Sequence, residues 1–336
     1  MVSLRHIAQL AGVSHVSVLH ALRGEPGLHP DTRQRILELA SLFSYQPRHT
    51  DRQKSGLIGI LIPDISSATF SHVLKGALQE AFLHDYRVVT LESNHDVQHS
   101  CKAIEVFIDM RVEGVLLAPG HEHQIPREYL LRLHSHGIYT VSLATEAFPV
   151  PLECIQSDPR QECELAVHYL MELGHRYIAY VGPITFYTGK PSNHYRAFIE
   201  TVHQWHLPGP ICADVHASSI AEIVQQLLHR HPVPTAIVAW SDAAALQLLQ
   251  ELTQQGYGVP RDISLIGSGN YLLTDLVTPP LTTIDPLSDQ LGQRAMQTIL
   301  GRLQQGEAPA AINPSTVNID SKLIIRKSCA SPRKNL

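Results

Sequence analysis

Cysteine, aromatic residues and charge are all sparse in this chain, and it has no long apolar run. The five cysteines among 336 residues (Cys101, Cys154, Cys163, Cys212 and Cys329) are odd in number and widely scattered. That pattern argues against a disulfide framework and for a reducing compartment, which we take to be the cytoplasm. No stretch approaches the ~18 successive apolar residues that would span a bilayer. Arg5 and His6 interrupt any apolar run near the start, so no secretory leader is expected. Charged residues make up only 17% and hydrophobic residues 44%, a balance that suits a folded domain rather than a disordered polyelectrolyte. A chain this long suggests about two or three compact units.

Several chemistries lack the residues they require. Gly267-x-Gly269 follows an apolar run as a dinucleotide loop would, but Leu272 holds the third glycine position and no acidic residue follows at the required distance. Twenty-one histidines include His121-x-His123, His134-x-His136 and His229-x-His231, yet none of these pairs has Cys or carboxylate partners at ligand spacing. No nucleophile, base and acid can be recognised as a set. Neither a metal, nor a cofactor, nor enzymatic activity is expected.

What the chain does have is an uneven distribution of charge. Residues 1–55 carry seven Lys/Arg against four acids, a balance of +3, whereas the rest carries 19 against 27, a balance of −8. A basic head on an acidic body fits a protein that meets phosphate at one end.

The head reads as a helix-turn-helix. Ser3 is a candidate N-cap, and Ile7, Ala8 and Ala11 recur at helical spacing. Gly12 permits a sharp turn, Val13 fills the corner, and Ser14 caps a second helix that begins at His15. A third helix starts near Pro30 or Asp31 and buries Ile36, Leu39, Ala40 and Phe43. Gln46 to Gly56 is polar and basic, and reads as a linker.

Beyond the linker, β-rich runs alternate with helical segments. Residues 57–62, 87–91, 114–118 and 139–143 read as buried parallel strands, followed by 177–181, 236–239, 263–266 and late segments near Thr316 and Ile324. Helices near 71–83, 159–173, 242–255 and 287–304 separate them. The alternation predicts an α/β body of doubly wound sheets.

These features together resemble the lac repressor family of bacterial transcription regulators. The resemblance is carried by Ile7-Ala8, Ala11-Gly12-Val13-Ser14, Thr32-Arg33 and Tyr45-x-Pro47 in the head. In the body it is carried by Gly174-His175-Arg176, Val259-Pro260-x-Asp262-Ile263-Ser264-Leu265-Ile266-Gly267 and Pro280-Leu281-Thr282-Thr283-Ile284. It implies an all-α DNA-binding domain over 1–47, a hinge over 48–56, and a periplasmic-binding-protein-like body over 57–330. That body would have one lobe of about 57–156 and 286–316, a second of about 157–285 and 317–330, and three crossovers between them.

By the same resemblance, the chain is a repressor that binds a pseudo-palindromic operator as a homodimer. Ser14, His15, Val16, Ser17, His20, Arg23, Thr32, Arg33, Arg48 and Arg52 would meet DNA, with His15 and Val16 in the main base-reading places. Allosteric control would come from a small molecule between the lobes, a carbohydrate first and a nucleobase second, near Phe70, Asp158, His194, Arg196, Trp240 and Asp242. Two other readings stay open: a regulator without ligand control, and a solute-binding protein.

Departures from the family pattern are concentrated at its working parts. His20 stands where Arg is usual and Leu19 where Ser is usual, so an unusual operator is expected. Residues 47–56 lack the Leu and Ala of a groove-wedging hinge helix, leaving either phosphate contacts by Arg48, Arg52 and Lys54 or a solvated tether. His194 occupies a place where the family has Arg, and Gly269 one where Asp is common. The cleft therefore takes an unusual ligand or has ceased to respond to one.

Overall fold

A computed structural model describes residues 4–22, 28–42, 55–118, 125–143, 148–185, 191–306 and 315–333, and only the backbone of 4–6, 15, 16, 19, 41 and 42. The chain divides into two units, Met1–Lys54 and Ser55–Leu336.

Among the described residues, the first unit holds α1 (Leu4–Ala11), α2 (His15–Leu22) and α3 (Pro30–Leu42). Ile7, Ala8, Ala11, Val18, Ala21, Ile36 and Ala40 form its core, with Val13 and Leu39 packed against it. The alternation of small and branched side chains lets three short helices close on one another. Ser14 caps α2 as expected, its Oγ accepting from Ser17 N at 3.1 Å. The expected roles of Ser3 and Phe43 lie outside the described residues.

The second unit begins with β1 (Leu57–Ile62), α4 (Ala68–Leu83), β2 (Arg87–Glu92), α5 (Val97–Asp109), β3 (Gly114–Leu117), α6 (Arg127–Ser135), β4 (Tyr139–Ser142) and β5 (Glu153–Ser157). Next come α7 (Pro159–Glu172), β6 (Ile178–Gly182), α8 (Asn193–Gln204), β7 (Ile211–Asp214), α9 (Ile220–Leu228), β8 (Ala236–Ala239), α10 (Asp242–Gln254), β9 (Ser264–Ser268), α11 (Leu273–Leu276) and β10 (Thr282–Asp285). It ends with α12 (Ser288–Gln305), β11 (Thr316–Ile319) and β12 (Lys322–Ile324).

Two sheets result, in the orders β11-β5-β4-β3-β1-β2 and β12-β10-β9-β8-β6-β7. All neighbours run parallel except β12, which is antiparallel to β10. Each sheet is covered on both faces by apolar clusters, so its central strands can be apolar throughout instead of alternating.

The chain passes between the lobes after β5, after β10 and between β11 and β12. The last passage falls at Asp320-Ser321, later than the 316/317 boundary expected from sequence. The reason is pairing: β11 adds to the first sheet beside β5, with Thr316 against Cys154 and Ile319 against Ser157.

The helices α4 and α12 pack unusually closely. A Cβ on Gly76 would lie 1.9 Å from the Asp289 carbonyl oxygen, and one on Gly292 would lie 1.9 Å from that of Val73. Buried Glu80 lies on the same contact and accepts from Gln293 Nε2 at 3.0 Å and Gln297 Nε2 at 3.1 Å.

In the second lobe, buried His175 ties the C-terminal segment to the sheet. Its Nε2 lies 2.9 Å from Ala330 O, and its Nδ1 lies 2.8 Å from Thr235 Oγ1. The carbonyl fixes the proton on Nε2, so Nδ1 accepts from the Thr235 hydroxyl. Burial lowers the His175 pKa, opposed by the bond to Ala330 O. A folded-state value below the unfolded one means that the unfolded chain takes up the proton first. Stability contributed by neutral His175 is therefore full above the unfolded value of ~6.5 and falls as pH drops through it. In thermal melts between pH 8 and pH 5.5, His175→Gln should show a shallower decline than the parent chain; parallel declines would contradict this.

Candidate functional site

In the head, the residues with expected DNA roles fall on two helices. His15 and Val16 open α2, Ser17 and His20 are partly exposed along it, and Thr32 and Arg33 are partly exposed in the first turns of α3. Val18 and Ala21, between and beyond them, point into the core. Hence α2 keeps one face for packing and leaves another for contact, the division a groove-reading helix needs. The side chains of His15 and Val16, and the whole of Arg23, Arg48 and Arg52, lie outside the described residues.

In the body, the candidate site lies where the carboxyl ends of the strands in the two sheets face one another. Side chains converge there because loops follow strands at this edge, the usual ligand position in open α/β sheets. From the first lobe, Phe70 on the first turn of α4 is half-buried and packs against the apolar core of its sheet. From the second lobe, Trp240 follows β8 and is 36% exposed, its Cβ lying against Gly182 at the end of β6.

Asp242, which the resemblance places beside a ligand, makes its described contacts within its own lobe. It is fully buried. Its Oδ1 accepts from Thr283 Oγ1 at 2.6 Å, and its Oδ2 accepts from Tyr271 N at 3.1 Å. Nor is it the cap of α10. Ser241 is, its Oγ accepting from Ala244 N at 3.2 Å. A carboxylate with both oxygens engaged by its own lobe positions the loop after β9. Asp158 likewise has a helix to hold: it caps α7 by accepting from Arg160 N at 2.9 Å.

His194 and Arg196, both on α8, diverge. Arg196 is exposed. His194 Nε2 lies 3.3 Å from Glu162 Oε2, and Glu162 Oε1 accepts from Ser321 Oγ at 2.9 Å. Glu162 is buried, which alone would raise its pKa. Bonds and charge from His194, with bonds from Ser157 and Ser321, outweigh that and lower it. Ser157 ends β5 just before the first crossover and Ser321 lies in the third, so this group is a knot at the pivot of the lobes. These contacts place His194 beside the first and third crossovers.

Sequence reasoning missed Thr69 and Tyr271. Thr69, on α4 of the first lobe, is hydrogen-bonded through its hydroxyl to that of Tyr271 in the second. The signal available was slight: an aromatic two residues after a glycine that replaces an expected Asp.

Among the described residues, no group of three or more His, Cys, Asp or Glu is placed to hold a metal ion. No described helix is long and apolar enough to cross a membrane.

Comparison with known proteins extends the picture to the whole chain. Residues 167–329 match the periplasmic binding protein-like domain. The chain is 29% identical to the HTH-type transcriptional repressor CytR of Escherichia coli K12, over 97% of its own length and 96% of the relative's. It is 28% identical to the ribose operon repressor of the same organism, over 91% and 94%. The fold matches that of the lac repressor dimer solved with operator and the anti-inducer ONPF, at a TM-score of 0.69 and 21% identity. That match covers 98% of this chain and 99% of the other.

Proposed function

The chain belongs to the lac repressor family of bacterial transcription regulators, and from that premise we propose that it is a sequence-specific DNA-binding repressor, not an enzyme. It works in the cytoplasm as a homodimer on a pseudo-palindromic operator, and the state of its inter-lobe cleft controls it. The observation that carries this reading is end-to-end similarity to repressors that includes the head, together with a head that folds as its own helix-turn-helix unit. A solute-binding protein would share the body but has no use for residues 4–42.

Within that reading, α2 enters the major groove. His15 and Val16 face base edges, His20 reads or touches the backbone nearby, and Ser14, Ser17, Thr32 and Arg33 meet phosphates. Arg23, Arg48 and Arg52 add charge to the same end of the chain. One small module reads too few base pairs for useful selectivity, which is why two copies are required.

The body offers apolar surface for pairing. Leu272, Leu273 and Leu276 on and beside α11 are 76%, 58% and 68% exposed, and Phe82 and Leu83 at the end of α4 are 81% and 72% exposed. Residues of this kind seek cover, and a two-fold axis supplies it with identical patches. For the effector, relatives solved with cellobiose and with ribose support a carbohydrate.

Selection of genomic fragments with the purified protein, followed by gel shifts at ~0.15 M salt, tests the proposal. The selected fragment should bind at least ~1,000-fold more tightly than random duplex. Substituting His15→Ala together with Val16→Ala should cut that ratio by ~10- to 100-fold while leaving non-specific binding in place. Equal binding of selected and random duplexes by the parent chain would overturn the assignment.

A further inference from the structure

The loop after β9 is fastened more firmly than a free ligand-binding loop requires. Tyr271 N donates to Asp242 Oδ2 at 3.1 Å, and the Tyr271 carbonyl accepts from Thr274 Oγ1 at 2.5 Å. Asn270 Nδ2 donates to Asp285 Oδ2 at 2.9 Å, and Asn270 Oδ1 accepts from Arg326 Nη2 at 2.7 Å. Asp285 Oδ1 in turn accepts from Leu287 N at 2.8 Å, at the second crossover. The loop is thus tied by its backbone to the interior, by Asn270 to the hinge, and by the Tyr271 hydroxyl to the opposite lobe.

The position of the ring depends on Gly269. This residue has φ +135°, and a Cβ on it would lie 2.4 Å from the Tyr271 ring. Any side chain there would exclude the ring as well as strain the backbone. The two residues therefore belong together: the chain places at 269 a residue with no side chain, and the Tyr271 ring takes up the room. A phenol ring has the thickness and hydroxyl reach of a small cyclic ligand. It stands between strand ends of both lobes, where such a ligand would bridge them.

We infer that Tyr271 is a built-in occupant of the cleft, a latch that bridges the lobes through Thr69 and that an effector must displace before it can bind. The inference rests on the regulator reading above and gives it a direction. The latched arrangement is the ligand-free one. A ligand acts by taking the place of the phenol and breaking its bond to Thr69. Because the ligand binds only the unlatched state, its apparent affinity is reduced by the fraction of molecules that remain latched.

The test uses the full chain with p-cresol, which reproduces the lost side chain, as the probe. Tyr271→Ala should leave a ring-shaped space. At about tenfold above its Kd, p-cresol should raise the melting temperature of that variant by about 3 °C. The parent chain should not respond. Solution scattering should show a larger radius of gyration for Tyr271→Ala than for the parent, returning toward it when p-cresol is added. Thr69→Val keeps the ring and removes only the bridging hydroxyl; it too should expand, which keeps the test open if Tyr271→Ala fails to fold. Unchanged scattering in Thr69→Val, or in a folded Tyr271→Ala that also ignores p-cresol, overturns the latch. These results are separable from the regulator reading. Selective DNA binding without any latch response removes the latch alone, and a latch response without selective DNA binding removes the repressor assignment alone.

Discussion

Gly292→Ala should destabilise the first lobe by about 3 kcal/mol, at the upper end of what an added methyl group costs in a packed interior. Its Cβ would lie 1.9 Å from the Val73 carbonyl oxygen, and the reciprocal contact of Gly76 with Asp289 O leaves the helix pair no room to slide. Both obstructing atoms are backbone, so no side chain can rotate out of the way. The alternative is separation of α4 from α12, which would unpack Met296, Ile299 and Ala295 from the core they share with Val73 and Ala77. Intrinsic propensity predicts the opposite sign, since alanine in a helix is favoured over glycine by ~1 kcal/mol. Gly301, on the same helix, has nothing within 4 Å of where a Cβ would stand, and so isolates that effect. Gly301→Ala should be neutral or stabilising by up to ~1 kcal/mol. Urea denaturation of the two variants gives the comparison, and equal effects would show that the close approach does not govern stability.

This helix pair also matters for the cleft. α4 presents Thr69 and Phe70 from its first turn, and α12 begins directly after the second crossover. A change in their spacing moves one wall of the site relative to the hinge. The packing that stabilises the lobe thus also sets the geometry on which a ligand signal would act.

Periodicity and composition reveal this architecture where burial is simple. Leu57–Ile62 and Ala236–Ala239 are apolar throughout because helices cover both faces of their sheets, and they stand out in the sequence for that reason. Glu153–Ser157 does not. Its first residue is a buried glutamate that accepts from Tyr139, Arg302 and Ser315, so the strand is held by partners from 14 to 162 residues away. Ile211–Asp214 is an edge strand with one neighbour, and half of its residues are only partly buried. Short strands with one covered face carry too few apolar residues to be recognised locally.

The site divides in the same way. The head was legible because a helix-turn-helix is written in adjacent residues, and Ser14 and Gly12 act on their immediate neighbours. The cleft is assembled from distant ones. Asp242 is conspicuous in the sequence, but its partners Tyr271 and Thr283 lie 29 and 41 residues further on. Whether such a carboxylate faces a ligand or the interior is decided by where those donors end up. His194 illustrates the same limit, since its partner Glu162 lies 32 residues upstream.

The second large effect is expected at Asp242. Asp242→Ala should cost about 3 kcal/mol, because it strips acceptors from buried donors, each worth ~1–3 kcal/mol when orphaned. The Thr283 hydroxyl has an alternative in Ile284 O at 3.3 Å, whereas Tyr271 N has only Asp242 among its described bonds. The loss should therefore fall on the loop after β9 and appear as faster amide exchange from Gly269 to Thr274. Its pH dependence gives a sharper check. Burial raises the Asp242 pKa, and bonds from Thr283, Tyr271 N and Asn270 N with the charge of Arg326 only partly offset that rise. The folded chain consequently holds this proton more tightly than the unfolded chain. Its contribution to stability is complete below the unfolded value and is lost as pH rises through the folded one. The cost of Asp242→Ala should then be larger near pH 4 than near pH 7. A larger cost near pH 7 would mean that the surrounding donors stabilise the charged form, making Asp242 a preorganised anionic site with affinity to offer a ligand instead of an internal brace for Tyr271.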